Sequence, residues 1–277
     1  QTFRGNGQVM AIYAIAPPTN GVVAEPRLIG TFEQAVGCGG GGPDPAEGAY
    51  QREVGFSGNG LVLHWLPDGS FLFSNSCLGV GLSRLDTATG DITVIAPQLA
   101  RLSLDPLRQR AAGIVFASAQ ERQLVLVDLM SGERQAVPLT HTPDQVRWSA
   151  DGQRLFVSTV DAGETLPLPD GEGAISIFVV RLWKIDLATG SSTLHFEQEG
   201  RGIGQMVEAI PDGGLVFSFV ESAQRWQEAV ASGAEASAQR AAAPATWLLY
   251  LNREGQIIRL GQGGQPSVSP GMPAAQG

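Results

Sequence analysis

Short runs of apolar residues recur along the chain, and turn-forming residues separate them. Leu61–Leu66 and Phe71–Ser74 flank the turn Pro67–Gly69, in which proline presets a dihedral angle and glycine tolerates the exit geometry. Both runs are apolar at successive positions, a pattern typical of strands that are covered on both faces. The pattern therefore predicts short β-strands in sheets that lie between other sheets.

This arrangement of strands and turns is repeated. The motif G-x-G, six residues, P-D-G occupies Gly58–Gly69 and returns without a gap at Gly202–Gly213. The turn LDTATG at Leu85–Gly90 returns as IDLATG at Ile185–Gly190, and VDLMSG lies between them. Such repetition indicates one supersecondary unit used several times, because each unit is too small to bury its own apolar faces.

Four-stranded units joined by tight turns predict an all-β fold, a single β-propeller domain of antiparallel blades, with about five blades favoured and about six possible. The predicted divisions are a partial first blade, a glycine-rich loop, four full blades and a tail: 1–36, 37–59, 60–97, 98–140, 145–196, 204–260 and 261–277. The N-terminal part supplies only two strands, and Pro266–Gly271 is similar to the start of a unit. We therefore expect the two termini to close one blade together.

The turn motifs resemble the PD40 repeats of the TolB-type, WD40-like β-propellers. The matching segments are WLPDGSFLF, WSADGQRLF and IPDGGLVF, together with LDTATG, VDLMSG and IDLATG, all within Gly58–Leu260. The resemblance implies the propeller fold. For function it implies binding and scaffolding in bacterial envelopes or a propeller attached to a peptidase, and it does not choose between them.

Composition excludes some partners. The formal net charge is −9 and Lys184 is the only lysine, so nucleic acid is not expected, because phosphate binding needs clustered Lys and Arg. No run approaches the roughly 18–20 apolar residues of a membrane-spanning helix. Membrane association is therefore expected only through a partner or an anchor. The start at Gln1 fits a mature polypeptide as well as an arbitrary chain boundary.

Cys38 and Cys77 are the only cysteines. In the predicted propeller, Cys38 lies in the loop that enters the first full blade, and Cys77 lies between that blade's second and third strands. Both loops leave the same face, so a disulfide is geometrically feasible. It would close a loop of about 40 residues, worth about 3–4 kcal/mol, and would place the protein outside the cytoplasm. The alternative is a pair of free thiols.

Polar residues interrupt the innermost strands. The reference positions are the turn aspartates Asp68, Asp105, Asp151 and Asp212. Four residues before them stand His64, Arg101, Arg147 and Glu208. Because the innermost strand of each blade lines the central channel, these four are candidates for a ring that binds a small anion. The alternative, which we favour, is a water-filled channel whose polar walls hydrate or pair with one another.

Two insertions depart from the repeat. The segment 221–245 is alanine-rich and favourable to helix except at Gly233. Its adjacent Arg225 and Trp226 are candidates to anchor a protein partner, or the tryptophan covers its own blade. The acidic segment 161–173 lacks the ligand spacing of a calcium loop and is expected to be a solvated loop. We expect both insertions, with loop 37–59, on one partner-binding face.

No signature of catalysis accompanies these features. The chain lacks a G-x-S-x-G motif, its histidines occupy unrelated positions that do not favour zinc, and Gly39–Gly42 is not followed by G-K-[ST]. We expect no metal, no cofactor and no catalytic residue. The predicted protein is an extracytoplasmic propeller, in the periplasm, at the cell surface or secreted, that serves a cell-envelope assembly as an interaction or scaffold subunit. The alternatives are a propeller hydrolase or lyase, or a small-anion- or sugar-binding protein that uses the channel.

Overall fold

The computed structural model describes most of the repeat region of the chain. The described residues are 8–14, 25, 27–34, 61–75, 81–97, 99–116, 121–167, 174–209, 214–222, 224–242 and 244–263. Over these ranges the regular secondary structure is almost entirely β-strand, with two short helices. The prediction of an all-β, antiparallel fold is confirmed.

The strands and helices follow one another in the order that the repeat predicts. The first strands are β1 (Gln8–Ala14), β2 (Arg27–Gln34), β3 (Leu61–Trp65), β4 (Phe71–Asn75), β5 (Gly81–Leu85), β6 (Ile92–Ala96), β7 (Leu99–Leu104), β8 (Arg110–Phe116), β9 (Arg122–Asp128) and β10 (Arg134–Ala136). They are followed by β11 (Pro143–Trp148), β12 (Arg154–Pro167), β13 (Ala174–Asp186), β14 (Ser192–Ala209), β15 (Gly214–Glu221), α1 (Gln224–Ala231), α2 (Ala236–Ala241), β16 (Thr246–Leu251) and β17 (Ile257–Gln262).

The strands are hydrogen-bonded in chain order within each sheet. β1 and β2 form a hairpin, β3–β6 and β7–β10 form two four-stranded sheets, and β11–β17 form a seven-stranded sheet. The two four-stranded sheets agree with the first two predicted full blades. The seven-stranded sheet contains the strands of the third and fourth. The closing of one blade by both termini stays a prediction, since it involves the tail beyond the described residues.

β14 belongs to two predicted blades at once. Its first half pairs with β13 and its second half with β15, and Gly200 pairs with both Phe178 and Glu221. A Cβ atom at Gly200 would lie 2.5 Å from Cζ of Phe219 and 2.7 Å from the backbone oxygen of Val220. The strand therefore passes from one blade to the next at a position with no room for a side chain.

The chain divides into two compact units. One comprises Gln1–Ala100 with 115–121 and 127–134, and the other comprises Arg101–Ile114, Arg122–Leu126 and Gln135–Gly277. In the first unit, the consecutive residues Leu72 and Phe73 are only 1% and 2% exposed. Since successive strand residues point to opposite faces, this sheet is covered on both sides, as its apolar runs predict.

In the second unit the first strands of successive blades lie side by side. Ser103 Oγ in β7 accepts a hydrogen bond from the backbone N–H of Trp148 in β11, at 3.1 Å. The Gln145 side chain in β11 in turn donates to the carbonyl of Gly204 in β14, at 3.3 Å. Contacts between innermost strands are what adjacent propeller blades require. The largest buried side chains of this unit include Leu124, Leu155, Leu182, Leu215, Phe217 and Phe219.

The turns between third and fourth strands share one hydrogen-bond pattern. In each, an aspartate Oδ1 accepts the N–H groups of the residues two and three positions on; these aspartates are Asp86, Asp128 and Asp186. The glycine that follows, Gly90, Gly132 or Gly190, donates to the aspartate carbonyl at 2.8–2.9 Å. Their φ angles of 70–82° are readily adopted by glycine alone, which explains the repeated D-x-x-x-G.

The segment 161–173 differs from its prediction. Residues 161–167 continue β12, and their partners across the hairpin extend from Ala174 to Val179 in β13. The prediction of a solvated loop is therefore wrong for 161–167. Pairing with β13, the next strand across the hairpin, satisfies the backbone of this acidic segment.

Candidate functional site

Three of the four predicted channel residues occupy equivalent places. His64, Arg147 and Glu208 are each the next-to-last residue of β3, β11 and β14, respectively. The side chain of Arg147 is exposed to solvent. The side chains of His64 and Glu208 lie outside the described residues, so a ring of these residues around a channel stays a prediction.

Arg101 does not occupy the equivalent place. In the three units whose first turn the structure describes, the turn is opened by a residue whose N–H donates to a carbonyl at, or directly before, the start of the next strand. These residues are Leu66, Asp105 and Ser149. Asp105 therefore corresponds to Ser149, and its alignment with Asp68 and Asp151 is wrong by two positions. Its carboxylate accepts the N–H of Arg110 at 3.1 Å, as Ser149 Oγ does for Arg154 at 3.0 Å. Ser103, two residues earlier, is the true counterpart of His64 and Arg147.

Arg101 instead lies in a buried ion pair. Its Nη1 donates to the carboxylate and to the carbonyl of Asp144, both at 2.7 Å. Arg122 Nη1 approaches the same carboxylate oxygen at 3.1 Å, and the three side chains are 5%, 12% and 13% exposed in the order Arg101, Asp144, Arg122. The group links β7, β9 and β11. Arg101 is therefore paired with a protein carboxylate, and the water-filled channel stays a prediction.

The insertion between β15 and β16 has a well-defined neck. The Glu221 N–H donates to the carbonyl of Ala245 at 3.0 Å, and the Ala245 N–H donates back to Glu221 Oε2 at 3.4 Å. Trp247 Nε1 donates to the other carboxylate oxygen, Oε1, at 2.6 Å. The guanidinium of Arg259 covers the Trp247 ring, a favourable cation–π contact. Both ends of the insertion are thus held by one carboxylate and the aromatic ring beside it.

Beyond the neck the insertion is helical, as predicted. α1 ends in a Schellman motif, in which the N–H of Ala234 donates to the carbonyl of Ala229 at 3.0 Å and Gly233 has φ 68°. The predicted break at Gly233 is therefore confirmed. Arg225 in α1 is exposed. Trp226 follows it in the helix, and its side chain lies outside the described residues.

A polar cluster that the sequence analysis missed crosses four segments of the second unit. His141 Nδ1 lies 2.6 Å from Asp161 Oδ2, and Arg181 Nη1 donates to the same oxygen at 2.5 Å. Glu197 accepts a hydrogen bond from Arg181 Nε. The ring of Trp183 stacks on His141 with centroids 5.3 Å apart. Asp161 thereby fixes the orientation of an imidazole that remains 30% exposed, an arrangement that can bind a ligand or move a proton.

Cys38 and Cys77 both lie outside the described residues, so their disulfide stays a prediction.

Among the residues that are described, no group of three or more His, Cys, Asp or Glu side chains is placed to hold a metal ion. No helix in the described ranges has the length and apolar character needed to span a membrane.

Comparison with protein-family models and with curated proteins finds no match. Solved structures do match. TolB from Acinetobacter baumannii is 16% identical, with a TM-score of 0.40, over 77% of this chain and 45% of that one. An oligogalacturonate lyase in complex with manganese is 14% identical, with a TM-score of 0.47, over 94% and 62%. The β-propeller domain of the Trilobed protease from Pyrococcus furiosus is 9% identical, with a TM-score of 0.40, over 72% and 52%.

The chain is similar in fold to β-propellers, and the resemblance to TolB-type propellers is confirmed at that level. The chain spans less than two thirds of the length of each of these three structures. A likeness at this identity concerns the fold, and it does not choose among their different activities.

Proposed function

We propose that this chain is a β-propeller module that binds a protein partner through the helical insertion between β15 and β16. In this proposal it is a non-catalytic accessory or scaffold subunit of a cell-envelope assembly. The observation that carries the proposal is the neck at Glu221, Ala245 and Trp247, which holds the root of a helical element that the repeat itself does not need.

An insertion whose two ends are fixed by the neck favours binding for a thermodynamic reason. Association must compensate for the ordering of loops and side chains at the interface, and an element that is already ordered loses less entropy. The exposed Arg225 offers a residue type that is enriched at the energetic centres of interfaces. The adjacent Trp226 belongs to another such type, so the pair is the proposed anchor.

The proposed partner-binding face also includes the segments 37–59 and 161–173, of which residues 161–167 belong to β12. The connections β12–β13 and β15–β16 both follow the second strand of a predicted blade. In a propeller, such connections leave the same face, on which the loop entering a blade also lies. The two insertions and the cysteine loop would then form one surface.

An extracytoplasmic location is proposed from Cys38 and Cys77. Disulfides persist in oxidising compartments and are rare in the cytosol. Mass spectrometry of the non-reduced protein should find a peptide that joins the two cysteines. Two free thiols in freshly isolated native protein would contradict the proposed bridge and remove its support for the location.

The interaction is tested by affinity capture with the full chain after crosslinking in native envelopes. We expect a defined protein partner whose crosslinks map to 224–242, and we expect its loss in an Arg225→Ala/Trp226→Ala double variant. The matched control is Arg253→Ala/Glu254→Ala in the exposed turn between β16 and β17, which should retain the partner. Recovery of the wild-type protein as a lone monomer, or equal capture by both double variants, would refute the proposal.

A small-ligand-binding or enzymatic function is the second candidate. It is favoured by the Asp161-oriented, partly exposed imidazole of His141 beside Trp183. Ligand screening by NMR, with the His141 ring and the Trp183 indole as reporters, should then show shifts that saturate with concentration and vanish in His141→Asn. Absence of any saturable shift would leave the cluster with a structural role.

A further inference from the structure

Met130 combines high exposure with a specific contact. It follows Leu129 in the turn that Asp128 organises, and its side chain is 74% exposed. Its Sδ nevertheless accepts a hydrogen bond from Arg84 Nη1, at 3.8 Å. The backbone N–H of Met130 donates to Asp128 Oδ1 at 2.9 Å, so the residue is held in a fixed turn. The thioether is therefore accessible to solvent and positioned against a cation.

Other contacts hold the guanidinium in place. Arg84 Nε donates to Ser70 Oγ at 2.9 Å, and Nη2 forms an ion pair with Asp68. Ser70 Oγ donates to Asp68 Oδ1 at 2.6 Å, which closes the group. Arg84 thus connects the 66–70 turn with the 128–132 turn, and the thioether is the weakest of its three acceptors because sulfur accepts hydrogen bonds poorly.

We propose that Met130 is an oxidative modification site, at which a hydroperoxide converts the thioether to a sulfoxide. A lone pair on Sδ attacks one peroxide oxygen, the S–O bond forms, and the O–O bond breaks. The proton on the attacked oxygen passes to the departing hydroxide, so that hydrogen peroxide leaves as water. Sulfur loses two electrons and the peroxide gains them. Sulfoxide reductases reverse such a change, and the site does not depend on the proposed partner-binding function.

Oxidation here strengthens a contact, in contrast to oxidation in a core. The sulfoxide oxygen projects from sulfur and is a stronger acceptor than the thioether, and hydrogen bonds to a charged donor are the stronger kind. Arg84 would then hold the two turns together more firmly. Met206 is the internal reference, because it is only 8% exposed and packs in a core with Leu215 and Phe217. A sulfoxide there would bury an unpaired polar group.

The order of oxidation tests the site. The full-length protein is treated with graded hydrogen peroxide, and each methionine peptide is followed by mass spectrometry. We expect Met130 to be oxidised several-fold faster than Met206, while the circular dichroism of the protein stays unchanged. Equal rates at the two residues, or loss of the fold when only Met130 is oxidised, would overturn the proposal.

Thermal unfolding tests the role of Arg84. Met130→Gln places an amide oxygen near the expected sulfoxide position, and Met130→Leu is the apolar control. We expect the Tm of Met130→Gln, and of the protein oxidised at Met130, to exceed that of Met130→Leu by about 1–2 °C, the size of one hydrogen bond to a charged group that solvent screens at the surface. In an Arg84→Lys background, which replaces the planar guanidinium that contacts Ser70, Asp68 and Met130 with a single ammonium, the difference should disappear. A gain that persists without the guanidinium would refute the coupling.

Discussion

The neck of the helical insertion provides the sharpest quantitative prediction. Glu221→Ala removes the acceptors of Trp247 Nε1 and of the Ala245 N–H. Hydrogen bonds to a charged group contribute about 1.5–3 kcal/mol, and the partial exposure of this group reduces that value to about 1–2 kcal/mol. The backbone bond from Glu221 to Ala245 remains. We therefore expect local opening of the insertion without global unfolding.

Such a loss corresponds to a factor of about 5–30 in the opening equilibrium. Hydrogen–deuterium exchange of the α1 amides should accelerate by that factor, while the amides of β12 and β13 should keep their protection. Glu254→Ala, at an exposed turn of the same sheet, is the matched control and should change neither. Unchanged exchange in α1 would show that the carboxylate does not hold the insertion, and acceleration throughout the sheet would show that the neck belongs to the core.

Three further predictions concern the fold. Gly200→Ala should lower the free energy of unfolding, measured in urea, by about 1–3 kcal/mol, because the added Cβ meets Phe219 and a backbone oxygen. The double variant Gly200→Ala/Phe219→Leu should recover part of this loss. Unchanged stability of Gly200→Ala would refute the close approach. Backbone N–H donors, first that of Thr189, lower the pKa of Asp186 below its ordinary value of 3.8. The ionised carboxylate therefore stabilises the folded protein above that pH, and this contribution is lost as the pH falls through the folded-state pKa. Asp186→Asn should flatten the loss of Tm between about pH 5 and pH 2, and parallel profiles would contradict this. Asp144→Ala should lower the free energy of unfolding by about 3–5 kcal/mol, because it leaves the charge of Arg101 buried without its carboxylate partner. A change in Tm no larger than that of Glu254→Ala would refute this prediction.

Sequence predicted those parts of the fold that local interactions determine. The D-x-x-x-G turns are closed within five or six residues by an aspartate and a glycine with positive φ. The local sequence motif is therefore enough to identify them. The successive burial of Leu72 and Phe73 follows equally from an apolar run with no alternation. These features need no knowledge of the rest of the chain.

Asp105 shows how an aspartate at a similar place in the sequence can be aligned wrongly. An aspartate near the end of a first strand can follow the turn opening, as Asp68 and Asp151 do, or can itself open the turn. Asp105 does the latter, and its carboxylate accepts the N–H of Gln109 at 2.7 Å. Hydrogen bonding, not residue type, distinguishes these places. The same ambiguity placed Arg101 in the predicted ring, although its partner is Asp144, 43 residues away.

The His141 cluster could not be found from spacing for a related reason. Asp161, Arg181 and Glu197 are brought together by the register of β12, β13 and β14. His141 precedes β11 and reaches Asp161 from outside these strands. That register includes irregularities between Ala162 and Thr165 and between Leu182 and Trp183. Because a shift of one residue exchanges the two faces of a strand, these bulges determine which side chains contact one another. The positions of the bulges cannot be predicted from the sequence.

The distribution of departures from the repeat bears on where function lies. The regular turns satisfy their own backbone groups, as the aspartates and glycines of the 86–90, 128–132 and 186–190 turns do. The blades therefore do not need the extended β12–β13 hairpin or the helices after β15 for their own turn closure. Extra chain has an ordering cost, and the neck at Glu221 restrains only the base of the helical insertion, through Ala245 and the core-packed Trp247. A partner that binds this insertion would offset that cost, and this relation predicts that partner binding and protection of the α1 amides will be lost together in Glu221→Ala. If binding survived when α1 exchanged freely, the docking surface would have to lie elsewhere on the blade.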